Sequence, residues 1–362
     1  MINAEAIETL YVRHARTLAE VVALENALRA RFFGLEHAVH GMVLAAMTGE
    51  VMVMIGPPGT AKSRLVRAFC HLVGLVDDGA LASNPKVLPQ DAAGRAGYFE
   101  YLLTQFTEPS ELFGFFDLGR LFATDGRREL VRDSNNMLQE ARVVFLDEVF
   151  NASSAILNAL LTFMNERKFH DRGRVIETPL ELLFAATNHP PREEGLAAAY
   201  DRFLLRCRVD NVSSGYRLSP EQMTENIADL VAAAWTETHS APLTDRKPEW
   251  RSLLDDLAAY RVGVDALTRD GSLQIDRTSP LFARLADLVV GVRARGLSEM
   301  SNRRLVKFTA VILAEALLRR ARGDAGGAAI VPSDLAVVLD YGLDQDDPDH
   351  VLKLRRNLLG AP

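Results

Sequence analysis

The chain has 362 residues, 48% of them hydrophobic and 25% charged, an ordinary globular composition with length enough for one large core and a smaller domain. Its two cysteines, Cys70 and Cys207, have neither ligand spacing nor a disulfide framework and read as small buried apolar residues, which argues against zinc. A net charge of -7 disfavours sequence-independent grip on a nucleic-acid backbone, which needs a cationic surface. The basic runs at Arg120, Arg127, Arg128 and Arg132 and at Lys168, Arg172 and Arg174 are the local exceptions.

Glu5, Glu8, Arg13 and Arg16 stand where a signal peptide needs an apolar core, and no run of about 18 apolar residues occurs, so a cytoplasmic protein without a membrane span is expected. From Ala4 to Arg31 the apolar spacing predicts one or two amphipathic helices, and a further helix follows from Glu36 to Met47. Val51 to Ile55 is wholly apolar, short and flanked by turn residues, as a strand buried on both faces of a parallel sheet should be. Val143 to Leu146, Leu182 to Ala186 and Leu204 to Val209 resemble it, and Tyr101 to Thr104 is a weaker fifth. Leu65, Val66, Phe69, Leu72 and Val73 mark one intervening helix. Ile156, Leu157, Leu160, Leu161 and Met164 mark another, opened by Ser153 or Ser154 as N-cap.

Alternation of strand and helix predicts an α/β parallel sheet of five strands. After about Val212 only helices are expected: Gln222 to Trp235, Trp250 to Tyr260, Leu281 to Arg295, Asn302 to Arg322 and a short one from Pro332. The expected division is therefore an αβα core with its N-terminal helices over 1–212 and a helical domain over 213–362.

The strand at Val51 runs into Gly56-Pro57-Pro58-Gly59-Thr60-Ala61-Lys62-Ser63, with Arg64 next on a helix. Backbone N–H groups and a helix N-terminus then converge on one place, where anionic phosphates can sit. Lys62 would reach the β- and γ-phosphates of ATP, and the Ser63 hydroxyl would bind Mg²⁺. The usual pattern has Gly before the Lys; with Ala61 in the first helical turn the methyl group would cost little. The strand at Val143 ends in Asp147-Glu148, suited to holding Mg²⁺ and to activating water respectively. The strand at Leu182 ends in Asn188, an amide placed to hold the attacking water; taken alone, Asn188 before His189-Pro190-Pro191 is a turn former.

In this order the motifs resemble the AAA+ ATPases, and FLDEVFNASSAILNALLTFMNERKFH with LAAAYDRFLLRCRV resembles the MoxR family, in particular its RavA-like branch, whose loop also carries Ala before the Lys. The resemblance implies an AAA+ P-loop NTPase core with a C-terminal helical lid, ATP and Mg²⁺ as cofactors, and a homo-oligomeric ring, commonly a hexamer. It implies that Arg202 is the arginine finger, with Arg206 the other candidate, and that Arg303 is the second sensor, with Arg304 its competitor. Phe33 and Gly34 match the place where adenine packs. Phe113 to Gln139 and the hairpin expected over Lys168 to Thr178 match the family insertions. The family often acts on a protein client together with a separate protein carrying a von Willebrand factor A domain. The competing reading is a nucleic-acid motor related to the minichromosome-maintenance helicases.

Overall fold

The computed structural model describes residues 2–77, 86–90, 92, 94–122, 130–191, 193–211, 220–239, 247–324, 326–327, 329–345 and 347–360. Arg127 and Arg128 lie outside the described residues. The chain opens with α1 (Ala4–Arg29) and α2 (Glu36–Thr48), then β1 (Met52–Ile55) and α3 (Lys62–Leu72). There follow β2 (Tyr98–Leu102), the short α4 (Pro109–Phe113) and α5 (Leu118–Leu121), β3 (Val143–Asp147) and α6 (Ser154–Glu166). The hairpin β4 (Lys168–Asp171) and β5 (Arg174–Glu177) leads into β6 (Leu182–Thr187), α7 (Ala197–Tyr200) and β7 (Leu205–Arg208). Helices close the chain: α8 (Pro220–His239), α9 (Leu253–Arg269), α10 (Pro280–Ala294), α11 (Asn302–Ala321), α12 (Ala336–Tyr341) and α13 (Pro348–Leu354).

Five strands form one parallel sheet in the order β2-β3-β6-β1-β7. The wholly apolar strands are explained by two cores. Met52 and Met54, Val143 and Phe145, and Leu182, Phe184 and Ala186 face α1, α2 and α3. The alternate residues Val53 and Ile55, Val144 and Leu146, and Leu183 and Ala185 face α6 with its Ile156, Leu160 and Phe163. With both faces buried, period-two alternation leaves no polar position.

The edge strand β2 starts earlier than its sequence suggests, and Leu103 and Thr104 lie beyond it. Glu100 in mid-strand masks the pattern. Its charge is met by Arg67 of α3, which donates from Nε at 2.9 Å and from a terminal nitrogen at 2.6 Å. Two helices are longer than expected: α8 takes in Pro220 and His239, and α9 runs on to Arg269. Helix α13 was not expected at all.

The apolar cluster on the α1–α3 side continues without a break into α9, α10, α11 and α12. α1 lies against α9 and α11, and α11 also against α2. Salt bridges fix this packing at the N-terminal end of the sheet: Lys307 to Glu50 at 2.6 Å, Arg261 to Glu181 at 3.0 Å and Arg142 to Asp255 at 2.5 Å. Among the described residues no helix is long and apolar enough to cross a membrane.

Candidate functional site

β1 delivers the loop at the C-terminal end of the sheet, where Gly56 N–H donates to Thr187 O of β6 at 3.1 Å. A methyl group at Gly56 would lie 1.8 Å from Val209 O, so the chain can pass here only as glycine. Gly59 has φ +82 and is exposed with Pro58, which leaves the loop's crest open. Ala61 is not in the helix. It is the N-cap of α3 with φ 59 and ψ 20, a left-handed conformation that costs an L-residue roughly 1–2 kcal/mol. The expectation of an inexpensive methyl in the first helical turn is thereby corrected, because the loop must reverse its curvature before α3 can begin.

Lys62 opens α3 and turns its ammonium back into the loop, donating to Gly56 O at 2.7 Å, Pro57 O at 2.8 Å and Thr60 Oγ1 at 3.3 Å. Burial lowers its pKa, and Asp147 and Glu148 pull the other way. Thr60 itself donates to Pro57 O at 2.9 Å. Ser63 and Arg64 follow on α3, both half-buried. A cation ringed by carbonyls beneath an open crest fits an anionic ligand that offers the ammonium stronger acceptors.

β6 lies between β1 and β3, so Asn188, one residue past β6, stands between the loop and the acids. Asp147 is raised in pKa by burial, against the Glu148 N–H that it accepts at 3.0 Å and the nearby Lys62. Glu148 has φ 52 and ψ 45, a strained backbone that aims its side chain out of the sheet line. One Glu148 oxygen accepts from Asn188 Nδ2 and the other from Asn151 Nδ2 at 3.5 Å. Loop, acid pair and amide thus meet at one end of the sheet. Among the described residues no group of three or more His, Cys, Asp or Glu side chains is arranged to hold a metal ion. Mg²⁺ needs none when phosphates supply most of its shell, and Ser63 and Asp147 fit such a site.

The arginines lie elsewhere. Arg202 follows α7 on the turn into β7, with Asp201 as its charged partner at 3.7 Å and its Nε buried without an acceptor among the described residues. Arg206 is 4% exposed, lies over the Tyr200 ring at 3.8 Å and donates to Tyr200 O and Phe203 O. Arg304 is 2% exposed and donates to Gly342 O at 2.7 Å and Asp344 at 3.3 Å. Both buried arginines are spent on internal contacts, which leaves Arg202 and Arg303 as the reachable members of each pair. Arg303, however, reaches Asn165 at the end of α6, beside the N-terminal end of the sheet. It is separated from the loop of its own chain by the length of β1, about 13 Å for four residues. Ser301 caps α11 and donates to Asp201 at 3.2 Å, so Arg202 and Arg303 share one patch.

A family model described as the MoxR domain in the MoxR-vWA-beta-propeller ternary systems matches residues 18–77 and 86–249, more than half of the chain. The chain belongs to the MoxR family of AAA+ ATPases. Two uncharacterised proteins of Methanocaldococcus jannaschii are 36% and 35% identical to it over 54% and 53% of its length, which is 46% and 44% of theirs. A structural protein of Acidianus two-tailed virus is 26% identical over 74% of the chain and 37% of its own length. The chain thus spans less than half the length of these curated relatives. A crystal structure from Cytophaga hutchinsonii, described as a "putative ATPase", superposes with a TM-score of 0.59 over 97% of both chains at 15% identity, a likeness of fold.

In this MoxR-family chain a cavity of about 340 Å³ has Arg208, the β7 partner of Ile55, in its wall. His37, Arg206, Leu343, Val351 and Arg355 are among its walls. The segment at Phe33 contributes His37 to this lining; Phe33 itself is half-exposed on the preceding turn, where Gly34 has φ +76. His37 stacks on Tyr341 with ring centroids 4.5 Å apart, which joins α2 to α12. None of the C-terminal residues here stands in a motif, and only the fold brings them to one cavity with His37 and Arg208.

Proposed function

We propose that the chain binds ATP with Mg²⁺ and hydrolyses it in a ring-shaped homo-oligomer, a hexamer by family pattern, to remodel or activate a partner protein in the cytoplasm. The observation that carries this reading is the convergence of Lys62, Asp147, Glu148 and Asn188 at the ends of three adjacent strands. Lys62 and the N–H groups from Gly59 to Ser63 bind phosphate, with Gly56, Pro57 and Pro58 shaping the loop; Ser63 and Asp147 hold the metal, and Asn188 positions water. Glu148 accepts a proton from that water. The cavity walled by His37 and Val351 receives the adenine, with Phe33 and Gly34 shaping its approach. Bound Mg²⁺ supplies charge neutralisation on the phosphates.

Arg202 and Arg303 serve a neighbour's site, since they share a patch away from the loop of their own chain. A core over 1–212 and a lid over 213–362 remain the working division. Ala61 supports placement near the RavA-like branch. The family model's description supports a separate von Willebrand factor A protein as the functional partner.

The hairpin does not favour a nucleic-acid motor: Lys168 pairs with Glu177 at 3.6 Å, and Arg172 lies over Phe116 at 4.8 Å and beside Asp171. Glu148→Gln is expected to keep ATP binding and lower turnover by about 10²-fold or more. Unchanged turnover would remove Glu148 from the base role. ATPase assays with DNA present should show no salt-sensitive stimulation.

A further inference from the structure

Asp344, on the turn between α12 and α13, gathers side chains from β7 and from the start of α11. Its Oδ1 meets Arg206 of β7 and lies 3.3 Å from Arg304 Nη1 of α11, two guanidiniums that are almost wholly buried. Its Oδ2 accepts from the Ser298 hydroxyl at 2.7 Å and the Glu299 N–H at 3.3 Å. The backbone is held as well: the N–H groups of Asp344 and Gln345 both donate to Leu297 O at 2.9 Å, and Arg208 donates to Asp344 O at 3.1 Å. Arg206, Arg208, Leu343 and Gln345 all wall the cavity of about 340 Å³, whereas Asp344 itself stands behind that wall. One residue thus fixes two arginines of the wall by direct contact and two more wall residues as its chain neighbours. A buried guanidinium deprived of its carboxylate loses a charge-assisted hydrogen bond and keeps its desolvation penalty, so it is driven towards other acceptors. For Arg206 such a movement changes the shape of the cavity.

We propose that Asp344 is a positioning residue for nucleotide: its carboxylate sets the Arg206 and Arg304 guanidiniums and its backbone sets the turn, so that the cavity keeps the shape that takes the base end. The inference rests on the reading of this cavity as the adenine site. Positioning matters at this precision, because side chains that touch a ligand must be held to within about 0.5 Å by the residues behind them. The contacts of Asp344 run to β7, to Leu297, Ser298 and Glu299 and to Arg304, and not to the loop from Gly56 to Ser63. Its effect therefore falls on the base end of the nucleotide and leaves the grip of Lys62 on phosphate intact. Ser298 and Glu299 stand just ahead of Ser301, the cap of α11, so the same carboxylate also fixes the start of the helix that carries Arg303.

Calorimetric titration of the full chain with ADP and, separately, with inorganic pyrophosphate, both with Mg²⁺, tests this. In Asp344→Asn, which keeps the shape and removes the charge, ADP is expected to bind about tenfold more weakly, the scale of one lost charge-assisted contact, while pyrophosphate stays within about twofold of the wild type. Asp334→Asn is the control: it breaks a buried pair with Arg319 at 2.8 Å, towards the C-terminal end of α11, and should weaken neither ligand. A merely stabilising role would make both ligands fall together, or make the two asparagine variants fall alike, and either result overturns the proposal. So does ADP binding by Asp344→Asn at wild-type strength. A wild type that binds no ADP removes the adenine reading of the cavity and the inference with it, a result distinct from equal ADP binding in wild type and variant. Thermal melts establish which variants fold. Should Asp344→Asn fail to fold, Ser298→Ala, which removes one donor to the carboxylate, decides: ADP weakened several-fold with pyrophosphate unchanged is expected, and unchanged ADP binding sinks the idea.

Discussion

Two residues of the candidate site sit in left-handed backbone without being glycine: Ala61, at φ 59, and Glu148, at φ 52. Strain of this kind persists only where surrounding structure imposes it, and here the imposing structure is a strand end that must reverse into a helix. Ala61 allows a direct measurement. Glycine would relieve roughly 1–2 kcal/mol of left-handed strain and cost about 0.5–1 kcal/mol in chain entropy. Ala61→Gly should therefore raise stability by up to about 1.5 kcal/mol, read as a higher urea midpoint. A drop of similar size would mean that Ala61 is helical after all. The motif residues were legible because phosphate loops and acid pairs follow apolar strands in fixed order. The backbone angle of Ala61 was not legible, because a methyl group is compatible with both conformations and only the path of the loop selects one.

At the scale of elements, α1, α2 and the end of α11 meet in a buried ionic cluster that no motif announces. Glu25, 1% exposed, accepts from Arg29 at 2.6 Å, His40 at 3.0 Å and Arg322 at 2.7 Å. Glu315 closes the ring at 2.8 Å from His40 and 3.6 Å from Arg322. Burial opposes both charges, yet the paired carboxylates hold His40 up at about 9, and His40 with Arg322 holds Glu25 down at about 2. The raised histidine contributes stability that is complete below its ordinary 6.5 and fades as pH rises towards 9. The depressed glutamate contributes stability that is complete above 4.5 and fades as pH falls towards 2. Stability from this cluster should hold level between those windows. Urea unfolding across pH 6.5 to 9 should show a decline in the wild type that His40→Gln flattens. An equal slope in both proteins would exclude His40 as its source.

At the scale of the whole molecule, the helical C-terminal region lies along the β7 side and the N-terminal end of the sheet, so Arg303 ends beside Asn165 and the patch of Arg202. If Arg202 completes a neighbour's site, an Arg202→Ala chain and a Glu148→Gln chain, each inactive alone, should regain activity when mixed, because some interfaces then pair an intact Glu148 with an intact Arg202. Mixing without gain would place the arginine's role within one chain. Sequence alone determined the order of the five sheet strands and the longer helices, the residues of the loop and acid pair, and the family, because each depends on local spacing and apolar periodicity; the short helices α4, α5, α7 and α13 escaped it. Tertiary structure decided which arginines are reachable, where the C-terminal helices rest and which side chains wall the cavity. Those outcomes depend on burial and on contacts between residues far apart in the chain, such as Arg206 with Asp344 and Arg303 with Asn165, for which local spacing holds no record.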